Sequence, residues 1–184
     1  TQGQGRLVTT PPTHVVFDLG GVLIDWNPRH LYRDLIPDEV ERERFLEEVV
    51  GQPWNRKQDA GRSIAEANAE LIARFPQHRA LIEAFYGQFD RMMKGAIEGT
   101  VAILHELGDT GVPLYALSNW AAETFPIAQR RFDFFDRFDG MLISGREMMR
   151  KPETAIFELL CTRFDLEPGA TVFIDDHEDN ITAA

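Results

Sequence analysis

Three short apolar runs, far apart in the chain, each end in polar side chains, and this pattern constrains the fold most. The runs and the polar residues after them are His14–Phe17 with Asp18, Pro113–Leu117 with Ser118 and Asn119, and Thr171–Ile174 with Asp175 and Asp176. β-Branched and aromatic runs bounded by proline and glycine predict strands, and amphipathic helical stretches separate the later ones. Strands that alternate with helices predict an α/β fold with a doubly wound, Rossmann-like parallel sheet.

The segment between the first two runs has a helical pattern instead. It contains two capping boxes, Asp38-x-x-Glu41 and Ser63-x-x-Glu66, each followed by apolar residues at helical spacing. We therefore predict a small helical cap over residues 27–95, inserted into a core formed by residues 13–26 and 96–184. Residues 1–12 are rich in Gly, Thr and Pro and are predicted to form a flexible tail.

The last residues predict one helical turn after a strand. A single turn is unstable alone because helix nucleation is costly, so we expect the natural protein to continue and the core to be incomplete at the C-terminus.

Composition narrows the choice of partners. The 184 residues carry 30 acidic and 19 basic side chains, a net charge of −11, which disfavours binding to nucleic acid. The one cysteine, Cys161, excludes an internal disulfide and favours a reducing, cytoplasmic location. Neither a membrane span nor a signal peptide is expected, because no apolar stretch approaches ~18 residues and the start lacks a basic segment. The sequence leaves the oligomeric state open.

The acidic residues at the strand ends carry the chemistry. Ligands bind beyond the carboxyl ends of parallel strands, so Asp18, Asp175 and Asp176 should converge. Two like charges at ~4 Å repel by about 4 kcal/mol at an effective dielectric of 20, so either one carboxyl group stays protonated or a cation neutralises them. Hard carboxylate oxygens favour Mg²⁺ bridged to a substrate phosphate. The residues predicted to help hold the anion are Lys151, the Ser118 hydroxyl and the backbone amides of Leu19 and Gly20. Asp18 can then act as the nucleophile.

Four motifs in this order resemble those of the haloacid dehalogenase superfamily. They are Phe17-Asp18-Leu19-Gly20-Gly21-Val22-Leu23, Leu117-Ser118-Asn119, Lys151-Pro152 and Phe173-Ile174-Asp175-Asp176. The helical insert resembles the cap of the subgroup that contains 2-haloacid dehalogenases, small sugar phosphatases and the phosphatase domain of epoxide hydrolases.

The resemblance implies a role for each matching residue. Asp18 would be the nucleophile and a metal ligand, together with the carbonyl of Gly20. Ser118, assisted by Asn119, would hold the phosphate, and Lys151 would neutralise the nucleophile and the transferring group. Asp176, with Asp175 beside it, would hold Mg²⁺, and Asn180 would support these ligands. Independently of the resemblance, Trp120 is predicted to line the substrate pocket because it follows Asn119 directly.

One position departs from the superfamily pattern. Its phosphatases usually carry a second aspartate two residues after the nucleophile, as general acid and base, and this chain has Gly20 there. Such catalysis typically contributes ~10²–10⁴-fold. His177 or a side chain of the cap is the candidate replacement.

Three hypotheses follow. The first is a Mg²⁺-dependent phosphatase that cleaves a small phosphorylated metabolite through an aspartyl-phosphate. The second is a metal-independent 2-haloacid dehalogenase, which would need a cap arginine for the substrate carboxylate. The arginines available are Arg29, Arg33, Arg56 and Arg62. The third is a non-catalytic binding protein, which Gly20 alone supports.

Overall fold

A parallel sheet forms the centre of the computed structural model, which describes residues 12–184. The six strands are β1 His14–Phe17, β2 Ile24–Trp26, β3 Met93–Ala96, β4 Leu114–Ser118, β5 Gly140–Ile143 and β6 Thr171–Ile174. Four of them pair in the order β5-β4-β1-β6, all parallel, with Phe17 opposite Ala116 on one side and Ile174 on the other. The predicted tail lies outside the described residues, apart from Pro12.

Helices connect the strands and cover both faces of the sheet. They are α1 Pro28–Leu35, α2 Glu39–Glu48, α3 Gln52–Asp59, α4 Ile64–Arg74, α5 Arg79–Gly87, α6 Glu98–Asp109, α7 Phe125–Arg131, α8 Ser144–Glu147, α9 Thr154–Phe164 and α10 Glu178–Ala183. Short 3₁₀ turns lie at Pro76–His78, Phe89–Met92, Asp133–Arg137 and Pro168–Ala170. This arrangement confirms the predicted α/β fold.

Local sequence signals account for the helix starts in the cap. The Asp38 carboxylate accepts from the backbone N–H of Glu41, and Ser63 and Glu66 form a complete capping box at α4. At the other end of the cap, the prediction of helix up to residue 95 is wrong. Met93–Ala96 is strand β3, which pairs antiparallel with β2. The pairing partner lies far away in sequence, and local pattern does not reveal such a contact.

The core consists of two clusters, one on each face of the sheet. Because side chains alternate along a strand, Val15 and Phe17 join the larger cluster, which also contains the apolar faces of the cap helices. Val16 points the other way and packs with Ile156 and Leu160 of α9. Between residues 12 and 184, no helix combines the length and the apolar character that crossing a bilayer requires.

Candidate active site

Asp18 lies directly beyond the end of β1, in the middle of the sheet. Its backbone N–H donates to the carbonyl of Ile174 at 2.8 Å, and its Oδ1 accepts from the backbone N–H of Leu19 at 2.7 Å. The residue is only 6% exposed, and its carboxyl group lies beside the Ser118 hydroxyl. Because β1 lies between β4 and β6, the polar residues that end those two strands come to either side of it.

Lys151 is the cation of this cluster, and its side chain is fully buried. Its Nζ lies 3.0 Å from Asp18 Oδ2, 2.5 Å from Asp175 Oδ2 and 2.9 Å from the carbonyl oxygen of Leu117. An ammonium group has three N–H donors, and these three acceptors use all of them. The direct phosphate contact predicted for Lys151 would therefore require it to release one of these partners. In this structure its charge holds two carboxylates in place.

Two asparagines fix the positions of Lys151 and Asp175. Asn119 was expected to assist phosphate binding, but its Oδ1 accepts from the backbone N–H of Lys151 at 2.8 Å and its Nδ2 donates to the Lys151 carbonyl at 2.9 Å. Asn180, which is buried, donates to both carboxylate oxygens of Asp175, at 2.9 and 3.0 Å. Asn119 thus positions the lysine and Asn180 positions the carboxylate.

The tandem aspartates occupy different environments. The Asp175 carboxylate is bonded to Lys151 and Asn180 and also accepts from the backbone N–H of His177 at 2.8 Å. Asp176 is exposed, and its carboxylate lies over Gly21, where a Cβ would come within 2.3 Å of its Oδ2. Asp176 is therefore the more available metal ligand of the two.

The three carboxylates suit a divalent cation. Asp18, Asp175 and Asp176 each offer one oxygen, and these atoms lie within 4.8 Å of one another. Together with Lys151, the three ionised carboxylates carry a net charge of −2, the charge that one Mg²⁺ ion balances. Hard oxygen donors of this kind are the ligands that Mg²⁺ prefers.

The pKa values of Asp18 and Asp175 reflect the same environment. Burial raises the pKa of Asp18, and the charge of Asp175 adds to this effect, while Lys151 and the Ser118 hydroxyl oppose it. Burial also acts to raise the pKa of Asp175. The Lys151 charge and the hydrogen bonds from Lys151, Asn180 and His177 outweigh it, so that the Asp175 pKa lies below its ordinary value. Asp18 thus carries the cost of burial, which a bound cation would relieve.

Of the remaining predicted site residues, Gly20 and Trp120 line the cavity next to Asp18, whereas Leu19 does not. The Leu19 amide was expected to cradle an anion, but it donates to Asp18, and Leu19 itself is fully buried. Trp120 is fixed in the wall of this cavity because its backbone N–H donates to Ser144 Oγ at 2.9 Å and its indole N–H donates to Thr124 Oγ1 at 3.1 Å.

A cavity of about 550 Å³ opens in front of Asp18, between the sheet edge and the cap. It is also lined by Trp26 of β2 and, from the cap, by Gln52, Asn55, Arg56, Asp59, Tyr86 and Phe89. Of these, the sequence named Arg56 only as one of four available cap arginines, and it pointed to neither Asp59 nor Tyr86. Helix α3 is polar along most of its length, so no spacing in the sequence distinguishes Asp59 from a solvated surface acid.

Comparison with known proteins now adds to this geometry. A family model described as "Hydrolase: haloacid dehalogenase-like hydrolase" matches residues 12–184. The chain belongs to this family. It is therefore a hydrolase by family, as the order of the four motifs indicated.

The names of similar proteins include both a phosphatase and a dehalogenase. The sesquiterpene phosphatase astK of Aspergillus oryzae is 26% identical over 169 residues, which cover 92% of this chain and 83% of that protein. A haloacid dehalogenase family enzyme, BT-2542 of Bacteroides thetaiotaomicron, solved with magnesium and inorganic phosphate, has a TM-score of 0.69 at 22% identity and covers 94% of this chain and 88% of its own. The L-2-haloacid dehalogenase of Xanthobacter autotrophicus has a TM-score of 0.64 at 15% identity, with coverage of 94% and 73%.

Proposed function

We propose that the protein is a Mg²⁺-dependent phosphatase that forms an aspartyl-phosphate on Asp18. The observation that carries the proposal is the cluster of Asp18, Asp175 and Asp176 around the buried Lys151, whose net charge of −2 matches one divalent cation. The solved complex of BT-2542 with magnesium and inorganic phosphate, in the same fold, supports this reading.

The residues divide the work of the first step. One Asp18 carboxylate oxygen forms a bond to phosphorus while the bond to the leaving oxygen breaks, and Lys151 keeps the carboxylate in place through its contact at 3.0 Å. The Ser118 hydroxyl, beside Asp18, would donate to a phosphoryl oxygen. Asp18, Asp176, Asp175 and the carbonyl of Gly20 would hold Mg²⁺, and the ion would supply charge neutralisation for the incoming phosphoryl oxygens.

We further propose that the substrate is a phosphate ester of an apolar alcohol. Four aromatic side chains line the cavity next to the nucleophile: Trp26, Tyr86, Phe89 and Trp120. Phe89 is the centre of this aromatic wall, since it stacks on Tyr86 at 6.4 Å and lies 5.8 Å from Trp120 and 6.3 Å from Trp26, between ring centroids. An apolar chain buried against such rings gains about 25 cal/mol per Å². The relative named sesquiterpene phosphatase supports this substrate class.

The dehalogenase alternative fits the site less well. A haloacid would bring its own carboxylate close to three acidic side chains. Of the four cap arginines considered, Arg56 lines the cavity. Arg29 is paired with Glu43 and Arg62 with Glu70.

The test is a substrate panel with a matched pair of variants. The wild type is assayed on p-nitrophenyl phosphate, n-decyl phosphate and L-2-chloropropionate, each with Mg²⁺ and with EDTA. We expect Mg²⁺-dependent phosphate release that Asp18→Asn abolishes. Asp25→Asn is the control, because Asp25 lies on β2 and its carboxylate pairs with His30. Halide release that persists in EDTA would overturn the proposal in favour of the dehalogenase, and absence of turnover would favour a binding protein.

A further inference from the structure

The chemistry proposed above lacks a proton donor at the usual position. Gly20 has no side chain, and a Cβ built there would meet no atom within 4 Å. The alkoxide that leaves an apolar phosphate ester is a strong base, so its departure needs a proton. The donor must therefore come from another side chain that faces the same cavity.

Asp59, the last residue of α3, faces this cavity from the cap side, and its backbone is tied to the catalytic end of the sheet. The Ser144 hydroxyl donates to the Asp59 carbonyl at 2.6 Å, and the same Ser144 oxygen accepts from the backbone N–H of Trp120 at 2.9 Å. Ser144 is fully buried, and Trp120 follows Ser118 and Asn119 directly. Two hydrogen bonds thus fix Asp59 relative to the loop that follows Ser118.

The carboxyl group of Asp59 has polar and charged neighbours from each side of the cavity. Its Oδ2 accepts from Nδ2 of Asn55 at 3.3 Å. Arg150, from the loop before α9, and Arg56, from α3, act on it as positive charges, and Asp18 acts as a negative charge.

The balance of these effects suits a group that exchanges protons near neutral pH. Burial is the largest effect and raises the pKa of Asp59 to about 7; Asp18 adds to it, while Arg150 and Arg56 oppose it. Efficient general acids have pKa values near the working pH.

We propose that Asp59 is the general acid and base that replaces the aspartate absent at Gly20; this rests on the phosphatase function proposed above. In the first step Asp18 Oδ bonds to phosphorus, the ester P–O bond breaks, and the Asp59 proton passes to the leaving oxygen to give the alcohol. In the second step the Asp59 carboxylate takes a proton from water, the water oxygen bonds to phosphorus, and the bond to Asp18 breaks. Phosphate leaves, Asp18 is again a carboxylate and Asp59 is again protonated.

Other titratable groups in the cavity fit this role less well. His177 is exposed, and its backbone N–H caps the Asp175 carboxylate. The phenol of Tyr86 has a pKa raised far above neutral by burial, so it does not cycle between acid and base at neutral pH. His177 stays as the competitor that the experiment has to separate from Asp59.

The experiment compares Asp59→Asn with wild type on two Mg²⁺-loaded reactions that differ in their need for a proton. p-Nitrophenolate is a good leaving group, whereas n-decyl alkoxide is a poor one. We expect Asp59→Asn to reduce kcat for n-decyl phosphate by ~10²–10⁴-fold. The p-nitrophenol burst should stay within about threefold of wild type, and the phosphoenzyme should accumulate because the second step also needs Asp59. The wild-type rate on n-decyl phosphate should fall above pH 7, and this limb should disappear in the variant.

Controls make the outcomes distinguishable. Asp34→Asn makes the same chemical change at an exposed cap position paired with Arg91 and should leave both reactions unchanged. His177→Gln should keep the wild-type pH limb. An equal loss in the p-nitrophenol burst rate and in n-decyl phosphate turnover with a normal pH profile, or loss of the limb in His177→Gln alone, would overturn the role of Asp59 while leaving the phosphatase function in place. If wild type hydrolyses neither ester, the phosphatase function fails and Asp59 loses its role with it.

Discussion

Replacing Lys151 with methionine should lower the free energy of unfolding far more at alkaline than at acidic pH. The side chain is fully buried and its Nζ contacts Asp18 at 3.0 Å and Asp175 at 2.5 Å, so the substitution leaves two carboxylates without their cation. Breaking a buried ion pair by removing one partner costs about 3–5 kcal/mol. We expect a loss of about 4 kcal/mol in the free energy of unfolding at pH 8, from urea denaturation followed by circular dichroism.

The pH dependence follows from the acids. In wild type the pKa of Asp175 is depressed, against the effect of burial, by Lys151 and several hydrogen bonds, so Asp175 stabilises the native state above its ordinary pKa of 3.8 and loses this contribution as pH falls through its native pKa. Burial already raises the pKa of Asp18 in wild type. Without Lys151 the pKa values of Asp18 and Asp175 should both rise, so the two carboxylates of the variant become protonated, and lose their buried charge, as the pH falls. The difference in the free energy of unfolding between the variant and wild type should therefore shrink to about 1–2 kcal/mol at pH 5.

A matched control is available on the cap surface. Lys57 is exposed and lies 3.5 Å from Glu70, so Lys57→Met should change the free energy of unfolding by less than about 1 kcal/mol at either pH. A loss below about 1 kcal/mol for Lys151→Met at pH 8, or an equal loss at pH 8 and pH 5, would refute the reasoning that Lys151 neutralises two buried carboxylates.

Three further substitutions test parts of the site. Gly21→Ala should destabilise the fold by about 1–2 kcal/mol, because the backbone at this position has φ of +78°. It should also lower the affinity for Mg²⁺ in calorimetric titration, because the new Cβ would meet Asp176 Oδ2 at 2.3 Å; unchanged affinity would contradict this position of Asp176. Ser144→Ala should cost about 1–3 kcal/mol in denaturation and lower kcat, because it removes the bridge to the Asp59 carbonyl. Gly20→Asp, which enters open space, should recover at least tenfold of the n-decyl phosphate activity lost in Asp59→Asn, and no recovery would place the missing acid elsewhere.

The sequence predicted the part of the site that lies at strand ends. Asp18, Ser118 and Asp175 follow apolar runs directly, and the geometry of parallel strands brings such residues together wherever the intervening chain goes. The alternation of strands and helices likewise predicted the α/β fold. Strand β3 was missed because its partner β2 lies on the far side of the helical insert.

The contribution of the cap could not be read from the sequence. Asp59 lies on a polar helix, and the role proposed for it depends on burial against the core and on a hydrogen bond from Ser144 to its carbonyl. No signal in the sequence indicates that Asp59 and Ser144 come together. Asn119 illustrates the opposite error. Its residue type and position suggested contact with phosphate, but its side chain closes two hydrogen bonds on the backbone of Lys151, because the two loops lie side by side.

The central claim is that Asp18 becomes phosphorylated during turnover, and rapid acid quench followed by peptide mass spectrometry tests it most directly. With p-nitrophenyl phosphate and Mg²⁺, the peptide that contains Asp18 should gain one phosphoryl group within the first turnover. The gain should be absent in EDTA and in Asp18→Asn. Phosphate release without this modification, or modification at another residue, would contradict the account.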